Sequence, residues 1–208
     1  MAALITMALV SYLLGSVSGS LLFGRLRRVD IRTMGSGNAG GTNALRTQGF
    51  WFALGVVVVD VGKAVLAVLW VPAWFDTSPS TLELARLLCG FAAVLGHCYP
   101  LWHGFRGGKG AATAVGALAV IQPWLLIPMM GTWILVLVLS GYVGLATVLA
   151  GISLVPAALY RGDSTALVLF CLAVALFMTF THRSNLKRLG SGTEHRFEKV
   201  LLKNWFGR

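Results

Sequence analysis

The sequence predicts an all-α integral membrane protein, a polytopic bundle of about seven transmembrane helices, and three observations support this fold class. Hydrophobic residues make up 57% of the 208 residues and charged residues only 12%, about half the charged fraction of a typical soluble protein. The mean hydropathy is +0.79. Polar residues, glycine and proline divide the apolar sequence into runs of about 20 residues, the length of helix that crosses a bilayer.

The apolar runs follow one another along the whole chain. They lie at about residues 3–24, 50–74, 84–103, 110–122, 123–140, 142–160 and 164–181. The stretch from Ala111 to Tyr160 is compatible with two spans or three, and the breaks at Gln122-Pro123 and Ser140-Gly141 favour three. The first run has no basic residues before it, so we expect a retained span and not a cleaved signal peptide. No linker divides the chain, and residues 1–208 are predicted to form a single membrane-embedded domain.

Lysine and arginine residues predict the orientation of the spans. With seven spans, one side of the membrane holds Arg25, Arg27, Arg28, Arg32, Arg46, Arg106, Lys109, Arg183, Lys187, Arg188, Arg196, Lys199, Lys203 and Arg208. The other side holds Arg86 and Arg161, and Lys63 lies within the second span. Because positively charged loops stay in the cytoplasm, we expect the N-terminus outside and the C-terminus cytoplasmic. An even number of spans would destroy this asymmetry.

The net charge of +10 indicates the kind of partner that the protein meets. Because the cations flank apolar spans, anionic lipid headgroups and phosphorylated small molecules are the expected partners. Nucleic acid is excluded because no RNA- or DNA-binding motif is present. Cys89, Cys98 and Cys171 lie in apolar runs without a C-x-x-C pair, so neither a disulfide nor a zinc site is predicted. No carboxylate cluster could hold Mg²⁺, and no metal or cofactor is expected.

A glycine-rich polar segment, residues 30–46, follows the first span. Its glycines allow the backbone to approach a ligand closely, and successive N–H groups in such a turn bind anions. Side chains that can donate hydrogen bonds or charge come from Ser36, Asn38, Thr42, Asn43 and Arg46. A flexible linker is the alternative, but linkers rarely combine so many of these residues, and we favour an anion-binding loop.

A second glycine-rich segment, residues 104–113, leads into the fourth apolar run. The turn Gly107-Gly108-Lys109-Gly110 at a helix start offers free N–H groups, the positive end of the helix dipole and an ammonium, which together suit a phosphate. It is not a Walker loop, because no serine or threonine follows Lys109. A basic loop at a membrane boundary is the alternative interpretation.

A third polar segment, residues 181–194, follows the last apolar run. Retention of the C-terminus in the cytoplasm explains its cations but not Asn185, Glu194 or the turn Gly190-Ser191-Gly192. The tail from Leu186 to Arg208, which overlaps this segment, is predicted to be a short amphipathic segment at the membrane interface. The predicted topology places all three polar segments on the cytoplasmic face.

Two charged residues lie inside the second apolar run. Asp60 and Lys63 are three residues apart and therefore share one face of a helix. Ions within a bilayer pair with each other or face the bundle interior, so a structural ion pair is favoured over a direct catalytic role. His97, near the cytoplasmic end of the third run, either faces the polar centre or is a hydrogen-bonded packing residue.

In their order along the chain these segments resemble the bacterial acyl-phosphate-dependent glycerol-3-phosphate acyltransferases, the PlsY family. The matching residues are Ser11, Gly15-Ser16, Asp30-Ile31-Arg32, Gly35-Ser36-Gly37-Asn38, Thr42-Asn43, Arg46, Asp60, Lys63, Gly96-His97, Gly107-Gly108-Lys109-Gly110, Thr113, His182-Arg183, Asn185 and Glu194. Each motif alone has modest specificity for this family, whereas the complete set in this order is highly specific for it. Gly144 and Ala146 stand where relatives often carry serine, which leaves a hydroxyl contact to substrate there in doubt.

The resemblance implies a multi-pass enzyme of the bacterial cytoplasmic (inner) membrane with its active site facing the cytoplasm. It would transfer a fatty acyl group from acyl phosphate to the 1-hydroxyl of glycerol 3-phosphate, as the first step of phospholipid synthesis. The products would be lysophosphatidic acid and inorganic phosphate, and acyl-CoA would not be used directly. A functional link to an enzyme that produces acyl phosphate is therefore expected.

The resemblance also implies roles for individual residues. The catalytic set would be Ser36, Arg46, Lys109, His182, Asn185 and Glu194. Acyl phosphate would be bound by Gly35, Ser36, Gly37, Asn38, Gly108, Lys109, Gly110 and Thr113. Glycerol 3-phosphate would be bound by Arg46, Lys109, His182 and Asn185. The supporting residues would be Asn43, His97, Asp60 and Lys63.

Two questions stay open at the level of the sequence. The proton acceptor is either a histidine, His97 or His182, or the phosphate of the substrate. The function is either acyl transfer, transport of a small phosphorylated solute, or non-catalytic lipid binding. Polar groups clustered at one face argue against a transporter, whose binding site lies near the membrane midplane.

Overall fold

The computed structural model describes residues 1–202, and the backbone of this part of the chain is helical and contains no strand. The α-helices are α1 (Ala2–Gly15), α2 (Gly19–Leu26), α3 (Gly41–Gln48), α4 (Phe50–Trp74), α5 (Pro79–Cys98), α6 (Ala111–Ile121), α7 (Leu126–Ser140), α8 (Val143–Arg161), α9 (Thr165–Thr181) and α10 (Arg183–Gly190). Short 3₁₀ turns occupy Ile31–Thr33, Leu101–His103, Pro123–Leu125 and Glu198–Val200.

The predicted class, an all-helical integral membrane protein, agrees with the lengths and compositions of these helices. The helical stretches that are long and apolar enough to cross a membrane are Ala2–Leu26, Phe50–Trp74, Pro79–His103, Pro123–Ser140 and Val143–Arg161. The pair Thr165–Thr181 and Arg183–Gly190, bent by 55°, is a further candidate. Ala111–Ile121 is apolar but shorter. Five or six of the seven predicted spans thus meet the criterion within the described residues, and the count of seven stays a prediction.

Large apolar side chains remain exposed on the surfaces of these helices. Trp51 on α4 is 78% exposed and Tyr160 on α8 is 92% exposed. Extended apolar surface of this kind marks a contact with lipid in a protein of this composition. The three cysteines, in contrast, are buried and unpaired, as their apolar surroundings predict.

The chain separates into two compact units, and the first comprises Met1–Gln122. Here α1 packs on α5 and α4, and α4 packs on α6. A Cβ atom at Gly15 would collide with the backbone of Ala93, one at Gly96 with the backbone of α1, and one at Gly116 with the backbone of Val61. Small residues at such positions let membrane helices approach closely. The resulting frame holds the glycine-rich loops that follow α2 and α5.

The second unit begins at Pro123 and contains α7 to α10. Helices α7 and α8 are joined at Gly141, which adopts a left-handed conformation with φ of 78°. The chain after α10 folds back on this turn, because the Phe197 N–H donates to the Gly141 carbonyl at 2.8 Å and Arg196 Nε donates to the Ser140 carbonyl at 2.9 Å. Of the predicted interfacial tail, residues 203–208 lie outside the described residues.

Candidate active site

Asn43, on the first turn of α3, organises the first glycine-rich loop. Its buried side chain donates to the carbonyls of Ile31 at 3.1 Å and Met34 at 3.0 Å, and its Oδ1 accepts from the Ser36 N–H at 2.9 Å. Gly35 between them has φ of 56° and lies so close to Asn43 Oδ1 that a Cβ atom would collide with it. One buried amide therefore fixes the backbone that presents the exposed Ser36 side chain.

The start of this loop is held by an ion pair. Arg32 Nη2 lies 2.8 Å from Asp30 Oδ2, and Arg32 Nε lies 3.0 Å from Asp30 Oδ1. These hydrogen bonds from Arg32 lower the pKa of Asp30 to about 2, so the pair is fully charged at neutral pH. Arg32 Nη1 also donates to the carbonyl of His103 at 3.0 Å, which ties the first loop to the beginning of the second.

The second glycine-rich loop rests directly on His97. The N–H groups of Gly107 and Gly108 donate to the carbonyls of Cys98 and His97, each at 3.1 Å. A Cβ atom at Gly108 would collide with His97 Nε2 and would come within 3.1 Å of the Ala39 carbonyl oxygen. Because Ala39 belongs to the first loop, the two glycine-rich loops meet at Gly108, and only a glycine fits there.

Helix α6 starts at the end of the second loop. Gly110, its N-terminal cap, has φ of 89° and provides no side-chain cap, so the first N–H groups of α6, next to Lys109 in the chain, receive no hydrogen bond from a capping side chain. Thr113, on the first turn, carries a buried hydroxyl with no hydrogen-bond partner among the described residues. Free N–H groups at a helix start attract a phosphate, which is the arrangement that the sequence predicts here.

Asp60, Lys63 and His97 form one buried network. Lys63 Nζ lies 3.0 Å from Asp60 Oδ1, 2.9 Å from His97 Nδ1 and 2.7 Å from the carbonyl oxygen of Val17. An ammonium has three donors and no acceptor, so His97 Nδ1 accepts from Lys63 and the ring proton sits on Nε2, beside Gly108. The 3.4 Å contact between His97 Nδ1 and Asp60 Oδ1 is therefore not a hydrogen bond.

The same network provides hydrogen-bond partners for backbone groups at a break in the candidate membrane span Ala2–Leu26. Helix α1 ends at Gly15 and α2 begins at Gly19, which leaves backbone groups without helical partners. Lys63 Nζ donates to the Val17 carbonyl at 2.7 Å, and Asp60 Oδ1 accepts from the Gly19 N–H at 3.2 Å. Unpaired backbone groups are costly inside a bilayer, so the ion pair stabilises the break and the helix end that precedes the first loop.

Arg46 lies on α3, three residues after Asn43 and therefore on a neighbouring part of the same helix face. Asn38 is half-buried in the first loop, and its amide group lies against Gly40. In the first unit the structure thus brings together Ser36 with Asn43, Asp60 with Lys63 and His97, and Ala39 with Gly108.

The second unit holds His182, Asn185 and Glu194. Asn185 Nδ2 donates to Glu194 Oε1 at 2.6 Å, and Arg188 Nε donates to Glu194 Oε2 at 2.7 Å. The Glu194 side chain is only 4% exposed, so its carboxylate is held between these two groups. His182 Nδ1 lies 2.8 Å from the Met178 carbonyl and must donate to it, which leaves Nε2 as the acceptor of a neutral ring.

Gly144, on the first turn of α8, gives Asn185 its position. A Cβ atom at Gly144 would lie 2.6 Å from Cβ and 2.8 Å from Cγ of Asn185. Gly144 therefore does not leave an empty space, because the Asn185 side chain occupies it.

Gly144→Ala is expected to displace Asn185 from Glu194, since the added methyl group overlaps the base of a side chain and not its flexible end. Overpacking of this kind costs about 1–3 kcal/mol of unfolding free energy. The matched control is Gly131→Ala on α7, where a Cβ atom meets nothing within 4 Å. Thermal unfolding of both variants in detergent measures the difference, and equal stabilities would contradict the contact.

Sequence reasoning missed several participants. Arg188 is the cationic partner of Glu194, and a helix over this segment places it on the same face as Asn185, three residues away. Ser20 was also missed, although its hydroxyl donates to the Ala39 carbonyl at 2.9 Å. Its neighbour Ser18 follows α1 in an otherwise apolar run, and this polar pair was the available signal for the break.

The described residues contain no group of three or more His, Cys, Asp or Glu side chains that could hold a metal ion. The polar groups described above are mainly backbone N–H groups, amides and cations. In the first unit these groups are concentrated at the two loops.

Comparisons with known proteins give a consistent result. A family model described as glycerol-3-phosphate acyltransferase matches residues 5–192. Glycerol-3-phosphate acyltransferases of Chlorobium luteolum and Chlorobium chlorochromatii are each 39% identical to this chain, over 94% of it and 97% of theirs.

Two solved structures are also similar. The crystal structure of PlsY (YgiH), an integral membrane glycerol 3-phosphate acyltransferase, in its glycerol 3-phosphate form, matches with a TM-score of 0.84 and 32% identity, over 98% of each chain. Its lysophosphatidic acid form matches with a TM-score of 0.83 and 31% identity, over 95% of this chain and 96% of that one.

Proposed function

The chain belongs to the glycerol-3-phosphate acyltransferase family, and from this membership we propose the full reaction and the residues that carry it. The protein is an integral membrane acyltransferase. The proposed donor is acyl phosphate and the acceptor is the 1-hydroxyl of glycerol 3-phosphate. The acyl carbon loses its bond to phosphate and gains an ester bond to the glycerol oxygen, giving lysophosphatidic acid and inorganic phosphate. The ligand names of the two similar structures agree with this acceptor and product.

The observation that supports the donor site best is the contact of the two glycine-rich loops at Ala39 and Gly108. It joins the backbone around Ser36 to the N-terminus of α6 in one polar region of the first unit. Backbone N–H groups with a lysine beside them suit the phosphate of an acyl phosphate. The proposed donor ligands are Gly35, Ser36, Gly37, Asn38, Gly108, Lys109, Gly110 and Thr113.

For glycerol 3-phosphate we propose Arg46, Lys109, His182 and Asn185 as ligands. Arginine offers a planar fork of donors that matches a phosphate. Glu194 acts through Asn185 and Arg188, since its carboxylate accepts a hydrogen bond from each. Glu194 was predicted as a member of the catalytic set, and we propose that it is a positioning residue that fixes the orientation of the Asn185 amide.

The mechanism that these groups allow depends on position and charge. Acyl phosphate is a mixed anhydride with a good leaving group, so alignment of two substrates and neutralisation of the departing phosphate supply most of the rate. His97 is unsuited to act as a base, because its Nδ1 already accepts from Lys63. We infer that the proton of the attacking hydroxyl passes to a phosphate group of one of the two substrates, either the donor phosphate that departs or the glycerol phosphate that stays in the product.

The membrane topology is also part of the proposal. We propose seven membrane segments, with the short helix Ala111–Ile121 and the bent pair from Thr165 to Gly190 completing the candidates. The cation distribution then places the N-terminus outside and the catalytic loops in the cytoplasm. Residues 1–208 would act as one domain of the bacterial inner membrane, supplied by an enzyme that makes acyl phosphate.

Product formation by the purified protein tests the function. Labelled glycerol 3-phosphate is offered with palmitoyl phosphate in one assay and with palmitoyl-CoA in a parallel assay. Labelled lysophosphatidic acid is expected from the acyl phosphate only. Product from the CoA ester would preserve the acceptor and contradict the donor. If the folded protein formed no product from either donor, a transport function would be favoured. Uptake of labelled glycerol 3-phosphate into proteoliposomes would then test that function.

A further inference from the structure

A basic cavity lies at the C-terminal end of α2, apart from the proposed substrate ligands. Its volume is about 360 Å³, and its polar lining comes from Arg25, Arg28, Arg32, Asp30 and His103. The remaining lining is apolar. None of the residues proposed above to bind acyl phosphate or glycerol 3-phosphate contributes to it.

The charge of this cavity is not balanced within the described part of the chain. Asp30 is the only carboxylate in its lining, and Arg32 donates to both oxygens of that carboxylate. Neither Arg25 nor Arg28 has a carboxylate at ion-pair distance among residues 1–202. Two arginines therefore face the cavity without an internal anion, as a site for an external anion requires.

The backbone at Arg28 indicates that the arginine is placed there at a cost in stability. The Val29 N–H donates to the Gly24 carbonyl at 2.9 Å, and the Arg28 N–H donates to the Arg25 carbonyl at 3.2 Å. This is a Schellman motif, in which the position of Arg28 is normally glycine because it requires a left-handed backbone. Arg28 has φ of 57°. Strained residues concentrate at ligand sites, so an outlier of this kind indicates a function.

Helix capping does not account for the cations. The two N–H groups of the Schellman motif already bind the carbonyls of Gly24 and Arg25 at the end of the helix. The guanidinium groups are therefore available to a ligand in the cavity.

The surroundings of the cavity identify the source of the anion. Helix α2 is the end of the candidate membrane span Ala2–Leu26. Leu22 and Leu26, on the same helix end, are 45% and 76% exposed, as expected for side chains that face lipid. Leu21 and Val29 add apolar lining. We propose that the cavity binds the phosphate group of an acidic membrane phospholipid, since basic pockets beside membrane helices take such headgroups.

Thermal unfolding in detergent tests the proposal without use of the catalytic activity. The protein is titrated with phosphatidylglycerol and, separately, with phosphatidylcholine and inorganic phosphate. Phosphatidylglycerol is expected to raise the Tm of the parent protein. Arg28→Gly removes the cation and fits the left-handed backbone, so its Tm without lipid should equal or exceed that of the parent. The concentration of phosphatidylglycerol for the half-maximal effect should rise about fivefold.

Arg27→Gln is the matched control, because Arg27 lies beside Arg28 but outside the cavity, with its guanidinium over the ring of Phe52. It should leave the response to phosphatidylglycerol within about twofold of the parent. An equal rise in the half-maximal phosphatidylglycerol concentration for Arg27→Gln and Arg28→Gly would show a general surface-charge effect and overturn the proposed binding in the cavity. An unchanged response in Arg28→Gly would also overturn it. An Arg28-dependent response to inorganic phosphate as strong as that to lipid would overturn the lipid as occupant.

Discussion

Lys109→Ala is expected to abolish acyl transfer, with kcat/KM lowered by about 10²–10³-fold or more. Lys109 precedes the N-terminal cap of α6, so its positive charge adds to the positive end of the helix dipole. It is also the one residue proposed for both substrates, so its loss removes charge neutralisation from the leaving phosphate and from the acceptor. Loss of an interaction made only in the transition state lowers kcat and kcat/KM equally, whereas loss of binding to the ground-state phosphate raises KM, so both parameters should change.

The measurement is steady-state formation of labelled lysophosphatidic acid with palmitoyl phosphate as donor. Arg106→Ala is the matched control, because Arg106 is an exposed cation three residues earlier in the same loop. It should retain most of the activity. Equal losses in both variants would mean that the loop supplies only a general positive field. Full activity of Lys109→Ala, with an unchanged Tm, would remove Lys109 from the site.

Much of the fold could be predicted because apolar runs of a fixed length leave a membrane protein few choices. The run at 50–74 has the bounds of α4, and the breaks at Pro123 and Gly141 separate α6, α7 and α8 as predicted. The break at Ser16 to Ser18 was not predicted. The serines and glycines of residues 15–20 were the available signal, but Lys63 and Asp60, which stabilise the break, are distant in sequence.

The sequence predicted which residues belong to the site better than it predicted the contacts between them. Their types and the glycines around them are local features, and the spacing of Asp60 and Lys63 predicted the ion pair that the structure contains. The contact of Gly108 with Ala39 and the space that Asn185 fills beside Gly144 depend on tertiary packing, which no local pattern encodes. His97 combines both roles left open by the sequence, since it is buried and hydrogen-bonded within a polar network.

Lys63→Met is expected to lower the free energy of unfolding by about 3–5 kcal/mol, the usual cost when one partner of a buried ion pair is removed. The Lys63 and Asp60 side chains are 5% and 1% exposed, so water cannot replace the missing ammonium. The substitution leaves the Asp60 carboxylate without its cation. The Val17 carbonyl and His97 Nδ1 lose their donor at the same time.

A paired substitution separates the ion pair from simple loss of packing. Asp60→Asn combined with Lys63→Met removes the buried charge altogether, so the double variant should unfold at a higher temperature than Lys63→Met alone. Lys187→Met on α10, an exposed lysine, is the control and should change stability by no more than about 0.5 kcal/mol. If the double variant were less stable by the sum of two independent losses, the helix break would depend on each side chain separately. Recovery in the double variant would instead show that the uncompensated carboxylate causes most of the damage, because its amide replacement can still accept a hydrogen bond from the Gly19 N–H.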